Sequence, residues 1–372
     1  MAGRNERTRP DGSFDVVVAG GGPAGTATAM ALAREGLSVA VLEKTGYEQA
    51  RIGESLPPEI REPLARLGLW ERFLADRHLP SVANLSAWGS AHLHSHDFFL
   101  SPYGRGWHLD RRRFDALLAR AAETEGAVVR RETRVTGAAF AGEEWRIAVQ
   151  GRRGGALLHG RYLVDATGRS GTLGRRLGGA RRRWDRLVGL VGYLEPDEGA
   201  APLDPTVLVE AVENGWWYSA PLPERRAVAA FMTDAGIPGA QAAWQERLSG
   251  AFHTRGRLHG YPPPRQILVR AADTFLADVP RQPRFLAVGD AASAFDPLSS
   301  QGVIKALRSG LRAAAAVLAD RAGRRQALPE YHHSVREEFA TYLDLRGAYY
   351  RLETRWPDSP FWNARRGPGN SN

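Results

Sequence analysis

The chain predicts an α/β protein in which a Rossmann-type nucleotide-binding domain is interleaved with an antiparallel-sheet insert and followed by a helical C-terminus. Three segments far apart in sequence carry that reading: Gly20-Gly21-Gly22-Pro23-Ala24-Gly25, Asp165-Ala166-Thr167-Gly168, and Gly289-Asp290 running on to Asp296-Pro297. An apolar run, Phe14 to Ala19, precedes the first segment, and a helix-forming stretch, Ala24 to Arg34, follows it. That is the strand–turn–helix context a dinucleotide fingerprint requires.

In this context Gly20 makes the tight turn, Gly22 lets the backbone approach a pyrophosphate, and Gly25 lets helix and strand pack closely. Pro23 and Ala24 open the helix, whose N-terminus offers N–H groups and a positive dipole end to phosphates. A second apolar run, Leu37 to Leu42, ends at Glu43, a carboxylate placed for ribose hydroxyls and against a 2′-phosphate, and Lys44 directly after it is taken as a further cofactor contact. The bland alternative is a glycine-rich turn with no ligand.

The strand Phe285 to Val288 ends at Gly289 and Asp290, the usual ligand position of an open parallel sheet. Asp296-Pro297-Leu298-Ser299-Ser300-Gln301-Gly302 then leads into a helix from Val303 to about Leu318. Its unpaired N–H groups would face an electron-rich ring. Asp296 or Ser299 also reads as an ordinary N-cap, with Pro297 in the first turn.

With these motifs in view the chain resembles the FAD-dependent monooxygenases of the p-hydroxybenzoate hydroxylase fold, in the branch of tryptophan halogenases and geranylgeranyl reductases. Within that branch it is most similar to flavoproteins that oxygenate a peptidyl tryptophan during quinone-cofactor maturation. The further matching segments are Gly53-Glu54-Ser55, Asp110-Arg111 with Phe114-Asp115, Ser86-Ala87-Trp88-Gly89, Gly106-Trp107-His108-Leu109, and Gly215-Trp216-Trp217-Tyr218-Ser219-Ala220-Pro221-Leu222. The resemblance implies a glutathione-reductase-type FAD-binding domain. It also implies FAD as cofactor, O2 as co-substrate, and NAD(P)H or an external flavin reductase as electron source.

The resemblance further implies that Arg51, Glu54 and Ser55 pass near the isoalloxazine. Arg51 would bind pyrophosphate or a reducing cofactor, and Glu54 would orient a flavin or substrate group. Arg111, Asp165, Gly168, Gly289, Asp290, Pro297, Gln301, Gly302 and Val303 would complete the FAD contacts. Ala166-Thr167 stand where the strictest hydroxylases have glycine after the aspartate, and no second Gly-x-Gly-x-x-Gly unit supplies a nicotinamide domain.

Composition bounds the class. The 372 residues hold two interleaved domains, and 43% hydrophobic residues are ordinary for a globular α/β protein. Zero cysteines excludes disulfides, thiolate metal sites and a cysteinyl flavin. No run reaches the ~20 apolar residues of a membrane span, and the polar, basic start, Met1 to Ser13, lacks a signal-peptide core. These point to a cytoplasmic protein with no membrane partner. The net charge of +9 is almost all arginine, clustered at 111–113, 175–176, 181–183, 324–325 and 365–366. No nucleic-acid-binding module accompanies it, so no nucleic acid partner is expected. Genome composition, or steering of an anionic partner, accounts for the bias.

The only lysines are Lys44 and Lys305. By resemblance, flavin halogenases rely on a cavity lysine shortly after the Gly-Glu-Ser segment to handle hypohalous acid. The corresponding stretch here, about Pro80 to Phe99, has none, and the halogenases' Trp-x-Trp-x-Ile-Pro becomes Trp216-Trp217-Tyr218-Ser219-Ala220-Pro221. A flavin C4a-hydroperoxide not diverted to halide would hydroxylate an electron-rich ring. The expected substrate is therefore an indole or phenol, as an aromatic small molecule or a tryptophan-containing peptide or protein. A halogenase, a geranylgeranyl-reductase-like ene-reductase and a non-catalytic flavoprotein scaffold are the alternatives.

The expected FAD domain takes residues 14–80, 110–180 and 275–320, and the substrate sheet takes 81–109 and 181–274. A helical segment covers 326–364, and 1–13 and 365–372 are expected to be disordered. In the sheet insert, Leu187 to Leu194, Thr206 to Val212, Gly215 to Ala220 and Arg226 to Met232 read as strands, with one helix from Gln241 to Leu248. They would roof the flavin. Alternation sends Trp216 and Tyr218 to one face and Trp217 to the other. With Glu54 and His108, Trp216 and Tyr218 are the catalytic candidates, set against plain core packing. His92, His94 and His96 would share one strand face; no metal site is assigned to them, because Asp97 points away and flavin chemistry needs none.

Overall fold

A computed structural model describes residues 12–49, 51–236 and 239–366. The strand Ser13–Ala19 is buried over its last five residues and feeds directly into the glycine turn and the helix Pro23–Arg34. It pairs in parallel with Val39–Leu42 on one side and Gly154–Asp165 on the other. Val128–Arg130 and Phe285–Ala287 extend the parallel part, while Glu144–Gly151 and Arg134–Ala141 add an antiparallel meander. All five parallel strands end at the same edge, where Ala19, Leu42, Asp165 and Ala287 lead into the segments singled out above.

A second seven-stranded sheet forms the insert. Its spatial order is Ile267–Ala271, Leu187–Leu194, Ala227–Asp234, Gly215–Pro221, Thr206–Val212, Ala83–Ala87 and His94–Asp97. One face buries Val191, Trp216, Ala220, Val228 and Ala230 with the C-terminal Tyr350 and Trp362. The other buries Leu190, Trp217, Phe231 and Trp244. The predicted alternation of Trp216 and Trp217 is therefore what the sheet shows.

The helices Gly302–Arg321 and Ala327–Leu352 complete the chain with Pro360–Arg366. Arg365 and Arg366, expected in a disordered end, lie in that last helix. Arg365 is buried because its guanidinium pairs with Asp234 at 2.5 Å and stacks 3.8 Å over Phe361. Likewise Ser13, expected to precede the fold, is already strand, drawn in by pairing with His159. The rest of the expected disordered ends, 1–11 and 367–372, lies outside the described residues.

Candidate functional site

The glycines explain how three remote segments meet. Gly20 has φ +110°, and a Cβ there would lie 2.1 Å from the Ala166 carbonyl. A Cβ on Gly25 would lie 2.0 Å from the Gly20 carbonyl. Gly289, with φ +57°, would bring a Cβ to 2.8 Å from Ala24 Cβ, and Gly310 would strike the Ala24 carbonyl at 2.4 Å. The start of the helix Pro23–Arg34 is thereby pressed against the middle of the helix Gly302–Arg321.

Gly22 differs from its neighbours. The nearest atom to a Cβ there is Arg51 Nη1 at 3.7 Å, and no side chain caps the helix it begins. Gly168, with φ +66°, and Gly302 have nothing within 4 Å of such a Cβ. Gln301 gives the second helix no side-chain cap either. Two helix N-termini with open space before them and only glycine on the near side form an anion cradle of the kind a dinucleotide pyrophosphate fills. Pro23, Ala24 and Val303, buried, and Pro297, half-buried, frame it. The residues present fit FAD.

Glu43, buried at the end of its strand, accepts from the Gly21 N–H at 2.9 Å, from the Thr45 N–H and hydroxyl, and from Arg51 at 3.0 Å. Arg51 also reaches Asp115 at 3.4 Å, so its guanidinium spans the rim of the cradle. Arg111 pairs with Asp115 at 3.1 Å and donates to the carbonyls of Ile52 and Gly53, fixing the loop that carries Glu54 and Ser55. Asp115 was missed as a site residue in the sequence; its signal was the i,i+4 spacing from Arg111.

Two expected contacts fall elsewhere. Asp165 is fully buried, and its carboxylate accepts from the Thr167 N–H and hydroxyl and from the N–H groups of Leu173 and Gly174. It shapes the Gly168 turn from beneath rather than facing a ligand. Lys44 is exposed on the surface, because the chain turns outward after Glu43. Arg169, not anticipated, ties the same turn to the carbonyls of Asp273 and Phe295 at 2.6 Å each.

Asp290 accepts from Lys305 Nζ at 2.8 Å and has Arg169 Nε at 3.7 Å. Burial disfavours its charge, but the two cations outweigh this and hold the carboxyl below the usual range. Lys305 is itself buried, donates also to the Ser293 carbonyl, and lies 4.3 Å from the Phe295 ring centre.

The roof sheet lowers two tyrosines toward the Gly53 loop. Tyr193 donates to Glu54 Oε1 at 2.6 Å, and the Gly53 N–H donates to Oε2 at 2.9 Å. Burial pushes the Glu54 carboxyl upward despite these bonds. Tyr218 Oη lies 2.7 Å from Ser55 Oγ, which lies 3.0 Å from His108 Nδ1. Ser55 and His108 face each other across an antiparallel strand pair, which puts both side chains on one face. His108 is fully buried; burial, aided by Arg257, lowers its pKa to about 3, so the ring is neutral at neutral pH. Its Nε2 is buried without a hydrogen-bond partner.

Trp216 is not in this group. It is buried beneath the C-terminal helix, where its Nε1 donates to Tyr350 Oη at 3.1 Å. Alternation gave its face, but the helix covers that part of the face. His94 and His96 lie on the exposed edge strand of the roof, and His92 precedes it beside a groove. Among the described residues no group of three or more histidine, aspartate or glutamate side chains could hold a metal ion. No helix among them is long and apolar enough to cross a membrane.

A Rossmann-type sheet, a pyrophosphate cradle and a sheet roofing its far end define an FAD-dependent enzyme. The comparisons agree: the tryptophan halogenase family model matches residues 15–81 and 74–371, and the chain belongs to that family, whose members use FAD and dioxygen. It is 30% identical to the putative FAD-dependent oxidoreductase LodB of Marinomonas mediterranea, over 95% of this chain and 97% of that protein. It is 26% identical to the tryptophan 2-halogenase of Chondromyces crocatus, over 95% and 70%. Among solved structures, the myxobacterial chondrochloren halogenase CndH superposes with a TM-score of 0.87 at 26% identity, covering 96% of this chain and 87% of that one. The peptidyl tryptophan dihydroxylase QhpG, essential for tryptophylquinone cofactor biogenesis, gives 0.77 at 26%, covering 95% and 79%.

Proposed function

We propose that this chain is an FAD-dependent monooxygenase that hydroxylates an electron-rich aromatic ring, an indole or phenol, with a tryptophan side chain in a peptide or protein as the favoured substrate. The reaction is placed in the cytoplasm, with reduced flavin supplied by NAD(P)H or a separate flavin reductase. The observation that carries the choice over halogenation is the state of the two lysines. Lys44 is exposed, and Lys305 is buried in its pairing with Asp290 and Ser293. With Lys305 committed to that pairing and Lys44 at the surface, neither lysine is free to handle hypohalous acid. The likeness to QhpG supports the peptidyl substrate. The family's halogenases favour the second reading, chlorination or bromination of the same ring.

Bound flavin would supply the activation of dioxygen, while the protein supplies position, proton placement and exclusion of water. With the His108 proton on Nε2, Nδ1 accepts from the Ser55 hydroxyl. Ser55 Oγ then accepts from Tyr218, whose phenolic lone pairs turn toward the substrate space and can accept an indole N–H or phenol O–H. Burial pushes the Tyr218 and Tyr193 phenols well up, so both stay protonated. Tyr193 holds Glu54 against the ring-side loop, and Arg51 with the two helix N-termini would hold the phosphates.

The test supplies reduced FAD and oxygen to the protein with free L-tryptophan or a tryptophan-containing peptide, with and without chloride or bromide. Product masses showing added oxygen, indifferent to halide, support hydroxylation. A halogen isotope pattern that depends on added halide replaces it with the second reading.

A further inference from the structure

We propose that the roof sheet carries a second binding strip, which takes an acidic side chain of a peptide substrate several residues from its target aromatic. The sheet register lays the strip out. Tyr218 pairs with Val209, Val209 with Ser86, and Ser86 with His94. Residues directly opposite on neighbouring strands share a face, so this row runs from the candidate site to the edge strand of the roof. A parallel row sets Val207 opposite Asn84 and Asn84 opposite His96. Asn84, Ser86, His94 and His96 therefore lie on the face that carries Tyr218, not on the face that buries Trp217. Val209 packs against the cluster containing Trp216 and Ala220, as that assignment requires.

Exposure rises along the strip. Asn84 and Ser86 are half-buried, and His94 and His96 are exposed. Among the described residues, no hydrogen bond engages the side chains of these four. His96 is steadied edge-on against the buried Phe98, with ring centres 6.0 Å apart. The strip offers a hydroxyl, an amide and two imidazoles, each able to donate a hydrogen bond. It holds no carboxylate to receive a lysine or arginine: Asp97 alternates to the opposite face, where Ser95 Oγ donates to it at 3.1 Å. Two imidazoles on a chain of net charge +9 suit an anion. Three strand spacings of about 4.8 Å separate Tyr218 from His94, roughly 14 Å, which an extended peptide crosses in about four residues. The inference rests on the peptide substrate proposed above, to which it adds an acidic residue about four positions from the ring.

The experiment follows binding of fluorescein-labelled, C-terminally amidated peptides to the FAD-loaded full chain by anisotropy. Each peptide carries one tryptophan, with glutamate or glutamine four residues to either side of it or directly beside it. A glutamate four residues away, on one side, should tighten binding about three- to fivefold over glutamine, the range of an exposed ion pair. A glutamate beside the tryptophan should give no such gain. His94→Gln combined with His96→Gln, both at exposed positions, should abolish the gain and leave the glutamine peptide bound as before. His94→Arg combined with His96→Arg should keep it, which a merely structural role for the histidines would not predict. No gain in the wild type, or a gain that survives the glutamine pair, overturns the strip. The peptide reading then still stands if alanine in place of tryptophan weakens binding. If that change has no effect, the peptide reading and the strip fall together.

Discussion

Tyr350 Oη and Asp296 Oδ2, 54 residues apart, meet at 2.7 Å in the buried seam between the C-terminal helix and the loop before Gly302. The same helix brings Arg346 Nε to 3.4 Å from that oxygen and the Tyr342 hydroxyl to the Asp296 N–H at 2.6 Å. A buried carboxylate is tolerable only with such partners. The C-terminal helix therefore holds the loop that would face the flavin, and it is part of the site's framework.

Tyr350→Phe removes the hydrogen bond to the charged Asp296 and the one accepted from Trp216 Nε1, which is left buried without a partner, and should cost at least about 2–4 kcal/mol. Arg346 remains, so the chain should still fold, with a lower melting temperature and weaker FAD binding. Equilibrium unfolding and flavin titration of the variant measure both, and unchanged flavin affinity would separate the helix from the site.

Two glycine changes within one turn should behave oppositely. Gly25→Ala drives a Cβ into the Gly20 carbonyl, so the apo protein itself should be strongly destabilised. Gly22→Ala meets nothing closer than 3.7 Å and should leave apo stability nearly unchanged. Its methyl would occupy the cradle, however, and FAD affinity should fall steeply. Thermal unfolding without FAD, paired with fluorescence titration, reads the two effects separately.

The roof and the cradle were legible in the sequence for one reason: their signals are local. Leu187–Leu194 and Thr206–Val212 are short apolar strands bounded by turn residues, and their limits came out as observed. The meander from Arg134 to Gly151 was not read: Glu144–Gly151 alternates buried Trp145, Ile147 and Val149 with more exposed neighbours, but its partner Arg134–Ala141 is partly exposed and carries glycine and alanine without alternation. Tyr193 was invisible as a site residue because its partner, Glu54, is 139 positions away. Trp216 failed for a related reason. Alternation assigns a face, but only tertiary packing decides which part of that face a helix covers.

The Tyr218–Ser55–His108 line predicts graded losses. Tyr218→Phe removes the acceptor offered to substrate, and turnover should drop roughly 10²-fold, as for a misplaced reactant. Ser55→Ala leaves Tyr218 in place but free to turn, so product formation should fall less, with more oxygen consumed per product. Comparing oxygen uptake with product yield in the two variants checks the order. Equal coupling in Ser55→Ala and wild type would remove Ser55 from the positioning role.

Acid stability follows from the buried histidines. His108 is lowered to about 3 and His78 to about 4, from 6.5, in both cases mainly by burial. Below pH 6.5 the unfolded chain takes up protons that these folded rings refuse. Their stabilisation is therefore complete above about pH 6.5 and is lost as pH falls toward the folded values, by about 1.4 kcal/mol per pH unit for each ring. Glu54 acts in the opposite sense. Its raised pKa means that the folded state keeps a proton the unfolded chain has released, which blunts the slope on the acid side. His78, packed 5.0 Å from Phe73 with both ring nitrogens unpartnered in the structure, lies apart from the Ser55 line and is the ring to change. Stability measured by denaturant unfolding between about pH 6.5 and pH 5 should have a shallower slope in His78→Leu than in the wild type, by one group's share. Parallel slopes would mean that His78 is protonated in the fold, paired with Asp76, whose Oδ2 lies 3.7 Å from its Nε2.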